Sequence, residues 1–266
     1  MNPRTRAWTV ALALLLPVAC LSLPVRATPF TYPAVNGSTV SFAEIWEESV
    51  TDPSLALFGA PTITGDRLDF EASGFAASSS GGVPVQRMAA LAMVVESLAT
   101  EVIHNLEVRA SGSYSLAGGP GFAQAAVGTA LIGEIVEIDR VGVSPSLDLS
   151  FAVNLTFSGL NGSYTLGPSP ESGVAWSGFK RIDLDELLAS KGQSGHATRV
   201  LFSVANNTVI ALSGAGTQAS IEAQAFSVAA NVPEPSFLLV AAGLAYACVL
   251  LRPRLRRHRA GPNPDV

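Results

Sequence analysis

The central part of the chain holds few groups able to do acid–base or metal chemistry. Two of the three histidines lie there, His104 and His196, and the densest carboxylates are the pair Asp66/Asp69 and the trio Asp183/Asp185/Glu186. Paired carboxylates can work as general acid and base when their surroundings separate their pKa values, and imidazole with carboxylate is a metal-ligand combination. The spacing argues against both. The histidines fall in different expected segments without metal-ligand spacing, and His104, set among apolar strand residues, reads as structural. His196 follows Gly192-Gln193-Ser194-Gly195, which imitates a nucleophile elbow, but it stands where the fifth-position glycine belongs and no strand precedes it. It reads as part of a polar loop. Asp183 precedes a short helical pattern and reads as its cap, while the full Asp-x-Asp-x-Asn-Gly calcium loop is absent from the trio. Gly214-Ala215-Gly216-Thr217-Gln218-Ala219 joins two β-like runs with no helix N-terminus to hold a pyrophosphate, so it is a turn. Trp46, Tyr114, Tyr164 and Trp176 have faces that could stack on pyranose rings, although packing is the default role of such side chains. No catalytic residue, cofactor or metal site is assigned, and the protein is expected not to be an enzyme.

The elements that position these residues read as all-β. Short runs alternating apolar and polar residues, separated by Gly, Ser, Pro and Asn, are the pattern of half-buried antiparallel strands. Arg67 to Glu71, Ala90 to Glu96, Glu101 to Ser111, Ala126 to Asp139, Leu147 to Phe157, Thr198 to Ser203, Thr208 to Ser213 and Ser220 to Val228 each suit one strand. Gly118-Gly119-Pro120-Gly121, Asn161-Gly162 and Asn206-Asn207 supply turns, and Ala76 to Gly82 reads as a small-residue loop. Strands at this spacing favour a single antiparallel β-sandwich, jelly-roll-like. The one helix expected runs from Asp183 to Lys191, with Asp183 as cap, Glu186 three residues on, and Leu184, Leu187 and Leu188 on one face.

Charge narrows the partners. Eight of the sixteen Lys and Arg lie in the two ends, so the body from Thr28 to Asn231 carries eight against nineteen Asp and Glu, a formal charge of −11. An acidic body repels phosphate backbones, and nucleic acid is excluded as a partner. Both cysteines, Cys20 and Cys248, lie in the terminal apolar segments, so the body has neither disulfide nor thiolate chemistry.

The ends carry signals of their own. Arg4 and Arg6 precede an apolar run from Thr9 to Leu23, and Val25-Arg26-Ala27 places small residues at −3 and −1 of a cleavage between Ala27 and Thr28. Residues 1–27 thus read as a secretory signal peptide, which implies the Sec translocon and signal peptidase as partners. At the other end Val232-Pro233-Glu234-Pro235-Ser236 precedes an apolar run from Phe237 to Leu251, then Arg252, Arg254, Arg256, Arg257 and Arg259. A helix over 237–251 would span about 22 Å, short for a bilayer core, with the arginines snorkelling and staying cytoplasmic. Residues 260–266 read as a disordered tail.

A Pro-Glu-Pro triplet, a short transmembrane helix and an Arg-rich tail in that order resemble the PEP-CTERM sorting signal of Gram-negative bacteria, here over 232–259. The resemblance implies that an exosortase, a membrane-embedded cysteine transpeptidase, recognises Pro233, Glu234 and Pro235, and that the protein is tied to exopolysaccharide and biofilm. The body, 28–231, is similar to the ectodomain of a subset of PEP-CTERM proteins. That similarity runs through Ser41-Phe42-Ala43-Glu44-Ile45-Trp46-Glu47-Glu48-Ser49, Leu57-Phe58-Gly59-Ala60-Pro61, Val204-Ala205-Asn206-Asn207 and Ala219-Ser220-Ile221-Glu222. Glu222 and Gln224 replace the basic residues often found there, and no enzymatic activity comes with this subset. The sequence therefore implies an inner-membrane-anchored precursor and then a noncatalytic protein of the cell surface or extracellular matrix. The alternatives are a carbohydrate-binding module for exopolysaccharide or, further off, a glycan-active enzyme.

Overall fold

The computed structural model describes residues 28–119 and 121–232. In chain order the strands begin with β1 (Phe30–Tyr32), β2 (Val35–Asn36), β3 (Val40–Ser49), β4 (Thr62–Thr64), β5 (Arg67–Phe70), β6 (Ala76–Ser80), β7 (Val85–Ser97) and β8 (Asn105–Gly118). They continue with β9 (Ala123–Ile138), β10 (Val141–Gly142), β11 (Ser150–Asn154) and β12 (Thr156–Phe157), then a distorted helical turn α1 (Ser158–Asn161) and β13 (Ser163–Thr165). Last come β14 (Glu171–Asp183), the helix α2 (Leu184–Ser190), β15 (Ala197–Ser213) and β16 (Thr217–Asn231).

The strands form two antiparallel sheets. One has the order β1-β3-β7-β15-β9-β10, with β2 on β3 and with β11 and β13 on β9; the other runs β12-β14-β8-β16-β5-β4, with β6 also on β16. Alternation turns one side of each strand inward. On β8 that side is Leu106, Val108, Ala110, Tyr114 and Leu116, all buried, and it faces Leu91, Val95, Val200 and Phe202 of the other sheet in one core cluster. Phe58, from the connection between β3 and β4, makes edge-to-face contacts with Phe70, Phe75 and Phe226 at centroid distances of 5.8, 4.8 and 5.2 Å. These pairs fix the packing at one corner of the core beyond what burial alone would do.

Three expectations are corrected, each for a local reason. Asn206-Asn207 is not a turn: β15 runs unbroken through it, and the register shifts by one residue between Val204 and Asn207, with Asn206 at φ 55°. The extra residue is a β-bulge, and it returns the inward phase from Val204 to Asn207 and Val209. Bulges between Ala43 and Trp46 in β3 and between Ala223 and Ala225 in β16 do the same for their strands. Ala76 to Gly82 is not a loop but holds β6, whose inward positions Ala77 and Ser79 are small enough to lie close under the opposite sheet. Leu147 to Phe157 is two strands, β11 on β9 and β12 on β14, because the chain crosses between sheets at Leu155. The expected helix is present as α2, with the Asp183 carboxylate accepting the Glu186 N–H at 2.9 Å and Leu184 and Leu188 buried.

Ala27, the triplet Pro233, Glu234 and Pro235, the apolar run 237–251, the five tail arginines and residues 260–266 lie outside the described residues, and Thr28 is the first one described. Among the described residues no helix is long and apolar enough to cross a membrane.

Candidate functional site

The groups with most chemistry meet at one end of the sandwich. There β8 starts, β14 ends and β16 ends in one row, with Asn105 paired to both Asp183 and Asn231. β15 starts on the facing sheet, and a bridge between Ile103 and Ala197 ties the two sheets together. His104 directly precedes β8, His196 directly precedes β15, and Asp185 lies in the first turn of α2. Each backbone is held. His104 donates its N–H to the Asn231 carbonyl (3.2 Å) and accepts from the Leu184 N–H (2.9 Å). His196 donates its N–H to the Asp139 carboxylate (3.0 Å) while its carbonyl accepts the Asp139 N–H (3.0 Å). Gly195 is required beside this clamp: its φ is +97°, and a Cβ there would come within 2.3 Å of the Asp139 carboxylate.

The three side chains converge. Asp185 Oδ2 pairs with His104 Nδ1, and Asp185 Oδ1 lies 3.0 Å from His196 Nδ1. The imidazole centroids are 4.9 Å apart. Side-chain exposures of 27% for His104, 37% for Asp185 and 48% for His196 leave one side of the cluster open to solvent. Partial burial pushes the Asp185 carboxyl up. The hydrogen bonds from His196 and His104 and the electrostatic attraction of the two rings outweigh it and leave it below the usual carboxylate range. Chemically the set is a proton-holding network and a two-imidazole, one-carboxylate donor group. The sequence reading that set His104 and His196 apart and gave Asp185 a solvated role is corrected, since tertiary contacts place both histidines on one carboxylate. His196 does belong to the loop from α2 to β15, and Asp183 does cap α2.

The other candidates disperse. Asp66 accepts from the Thr39 N–H at 2.7 Å and the Thr39 hydroxyl at 2.6 Å, closing the turn into β3, while Asp69 pairs with Arg67 at 2.8 Å. Three of the four aromatics are packed rather than available to a sugar. Tyr114 and Tyr164 stack on each other in the core at 4.2 Å and 13°, and Trp176, 2% exposed, meets Phe157 edge-on. Trp46 differs. It lies on the outer face of the first sheet, beside a groove of about 350 Å³ whose lining includes Glu44, Ile132, Glu134, Leu201 and Ser203. Arg199 approaches Glu44 at 3.8 Å and Glu137 at 3.6 Å.

The sequence also contained a buried carboxylate that its reading passed over. Glu47, fully buried, projects inward from β3. Its Oε1 accepts the N–H of Leu57 and, at 2.8 Å, of Phe58; its Oε2 accepts the Gly59 N–H at 3.3 Å and the Tyr32 hydroxyl at 2.9 Å. This carboxylate is a staple for the segment that delivers Phe58 to the core. Burial first, then the Glu47 carboxylate, pushes the Tyr32 phenol up.

A scan of protein-family models and a search of curated proteins found no match. Among solved structures, the X-ray crystal structure of Trichoderma harzianum endoglucanase 3, from family GH12, is similar over 77% of this chain and 97% of that one, at 12% identity and a TM-score of 0.21. So loose a superposition assigns no activity.

Proposed function

We propose that this protein is exported, anchored in the inner membrane as a precursor, and sorted by an exosortase to the cell surface or extracellular matrix, where it serves as a noncatalytic component associated with exopolysaccharide. The observation that carries the reading is the fixed order of Pro233-Glu234-Pro235, the apolar run 237–251 and the arginines 252–259. A plain membrane anchor would need the run and the arginines but not the triplet. In this reading the β-sandwich is the delivered body, and its last strand, ending at Asn231, hands the chain directly to the sorting segment. The test is the intact mass of the mature protein from an exosortase-competent host, beside a Pro233→Ala, Glu234→Ala, Pro235→Ala triple variant. The parent is expected to lose the Arg-rich tail and the variant to keep it; a tail kept by both reduces the segment to an anchor.

A second reading, glycan binding, is favoured by Trp46, which stays at the surface beside a groove flanked by Glu44 and Glu134 while the other three aromatics are packed. An aromatic face beside polar groups is how a pyranose is held. A glycan array run with the parent and with Trp46→Ala tests it: selective binding lost in the variant supports the reading, and no selective binding by the parent removes it.

A further inference from the structure

We infer that His104, Asp185 and His196 form a binding site for one divalent transition-metal ion of the zinc class. The inference is independent of the sorting reading and concerns only the folded body.

Donor geometry is the first argument. One ligand atom from each residue can be chosen so that all lie within 4.8 Å of one another. A tetrahedral zinc with bonds of about 2.0–2.1 Å holds its ligands roughly 3.3 Å apart. Asp185 Oδ1 and His196 Nδ1 are 3.0 Å apart, and the His104–Asp185 pair is closer still. Entry of the ion, with release of any proton held between the donors, therefore replaces a hydrogen-bonded cluster by a metal-bridged one.

Preorganisation is the second. Metal sites on mobile surface side chains pay to order their ligands, whereas here each ligand is mounted on fixed backbone. His104 is tied through both of its main-chain groups to β16 and α2, and His196 through both of its own to Asp139. Asp185 is set in a helix whose N-terminus is already capped by Asp183. The Asp139 carboxylate is occupied by the His196 N–H and supports the site from behind.

The chemistry of the set chooses the ion. Two imidazoles and a carboxylate suit Zn²⁺, Co²⁺, Ni²⁺ or Cu²⁺. Ca²⁺ and Mg²⁺, which take oxygen ligands almost throughout, are not served by it. With three protein donors and an open side, a fourth position is left for water or an external ligand. The ion would join the start of β8, the start of β15 and the first turn of α2, one hydrogen bond from Asn231 at the end of the last strand.

The test is titration calorimetry of the full-length protein in detergent with Zn²⁺, and with Co²⁺ read by its ligand-field spectrum, in a large excess of Ca²⁺. One ion per chain is expected, unaffected by Ca²⁺, with a Co²⁺ spectrum of nitrogen and oxygen ligation and a rise in thermal midpoint. His196→Ala removes a half-exposed side chain outside the core, so it should keep the parent circular dichroism while weakening binding by about tenfold or more. Asp185→Asn should weaken it similarly and shift the Co²⁺ bands. The inference is overturned if the parent binds no ion stoichiometrically, if Ca²⁺ displaces the ion, or if folded His196→Ala and Asp185→Asn proteins bind as the parent does.

Discussion

Replacing Glu47 by alanine tests whether one buried carboxylate fastens the connection between β3 and β4 to the core. The side chain accepts the N–H groups of Leu57, Phe58 and Gly59 and the hydroxyl of Tyr32. Removing it strands the first two in a region where Leu57 and Phe58 are 0% and 1% exposed. Leaving a buried donor unpaired costs about 1–3 kcal/mol, and bonds to a charged group sit toward the upper end. The Gly59 and Tyr32 donors are partly exposed and regain water. Counting two buried donors near 2 kcal/mol each gives about 4 kcal/mol, from which relief of the carboxylate's own desolvation subtracts a part. For a body of about 200 residues, each kcal/mol lowers the midpoint by roughly 2–4 °C, so Glu47→Ala should melt below the parent by at most about 8–16 °C. Tyr32→Phe, which removes one donor and leaves the other three in place, should cost only about 1 kcal/mol. The measurements are chemical denaturation of both variants and hydrogen exchange at Leu57 and Phe58, whose amides should lose protection in Glu47→Ala alone. A cost below about 1 kcal/mol for Glu47→Ala, or one equal to that of Tyr32→Phe, would refute the staple.

Two further outcomes follow from the packing. Gly112→Ala should destabilise by more than the roughly 1–3 kcal/mol of ordinary overpacking, because its Cβ would fall 2.0 Å from the Glu222 carbonyl of β16 and 2.5 Å from the Trp176 ring of β14; denaturant midpoints check it, and a neutral result would mean that β8 does not lie against β16 and β14 in this way. Burial, then the nearby Glu171 carboxylate, raises the Tyr114 phenol to about 12 from its usual 10, so the fold favours the neutral form. The stability this contributes is complete below about pH 10 and is lost as the pH climbs from there to about 12, with Tyr32 shifted in the same sense. Urea midpoints across that window should fall less steeply in Tyr114→Phe than in the parent.

What the sequence could disclose follows from the range over which each signal acts. A strand that keeps a strict two-residue phase, such as β9, is visible as alternation because every inward position is apolar or small, whereas β8, expected over Glu101 to Ser111, starts at Asn105 and continues to Gly118. β14 is not visible as alternation, since its inward positions include Gly178, whose missing side chain makes room for the Phe157 ring, and the partly buried Lys180. β15 breaks into two apparent strands because Asn206 steps through the left-handed region and inverts the phase, and an Asn-Asn pair carries the same local preference in a bulge as in a turn.

The His104–Asp185–His196 cluster was hidden for a different reason. Ligand spacing within a motif detects sites built on one turn or one hairpin. Here His104 and Asp185 are 81 residues apart and Asp185 and His196 are 11, and they meet only because β8, β14 and β15 begin or end at the same level of two facing sheets. Each residue seen alone has a local account: an apolar neighbourhood, a helical first turn, a polar loop. The convergence is a property of strand register. Shifting β14 by one position against β8 would move α2 along the end of the sandwich and carry Asp185 off both histidines. The ladder that pairs Asp183 with Asn105 is therefore what makes the three residues a site.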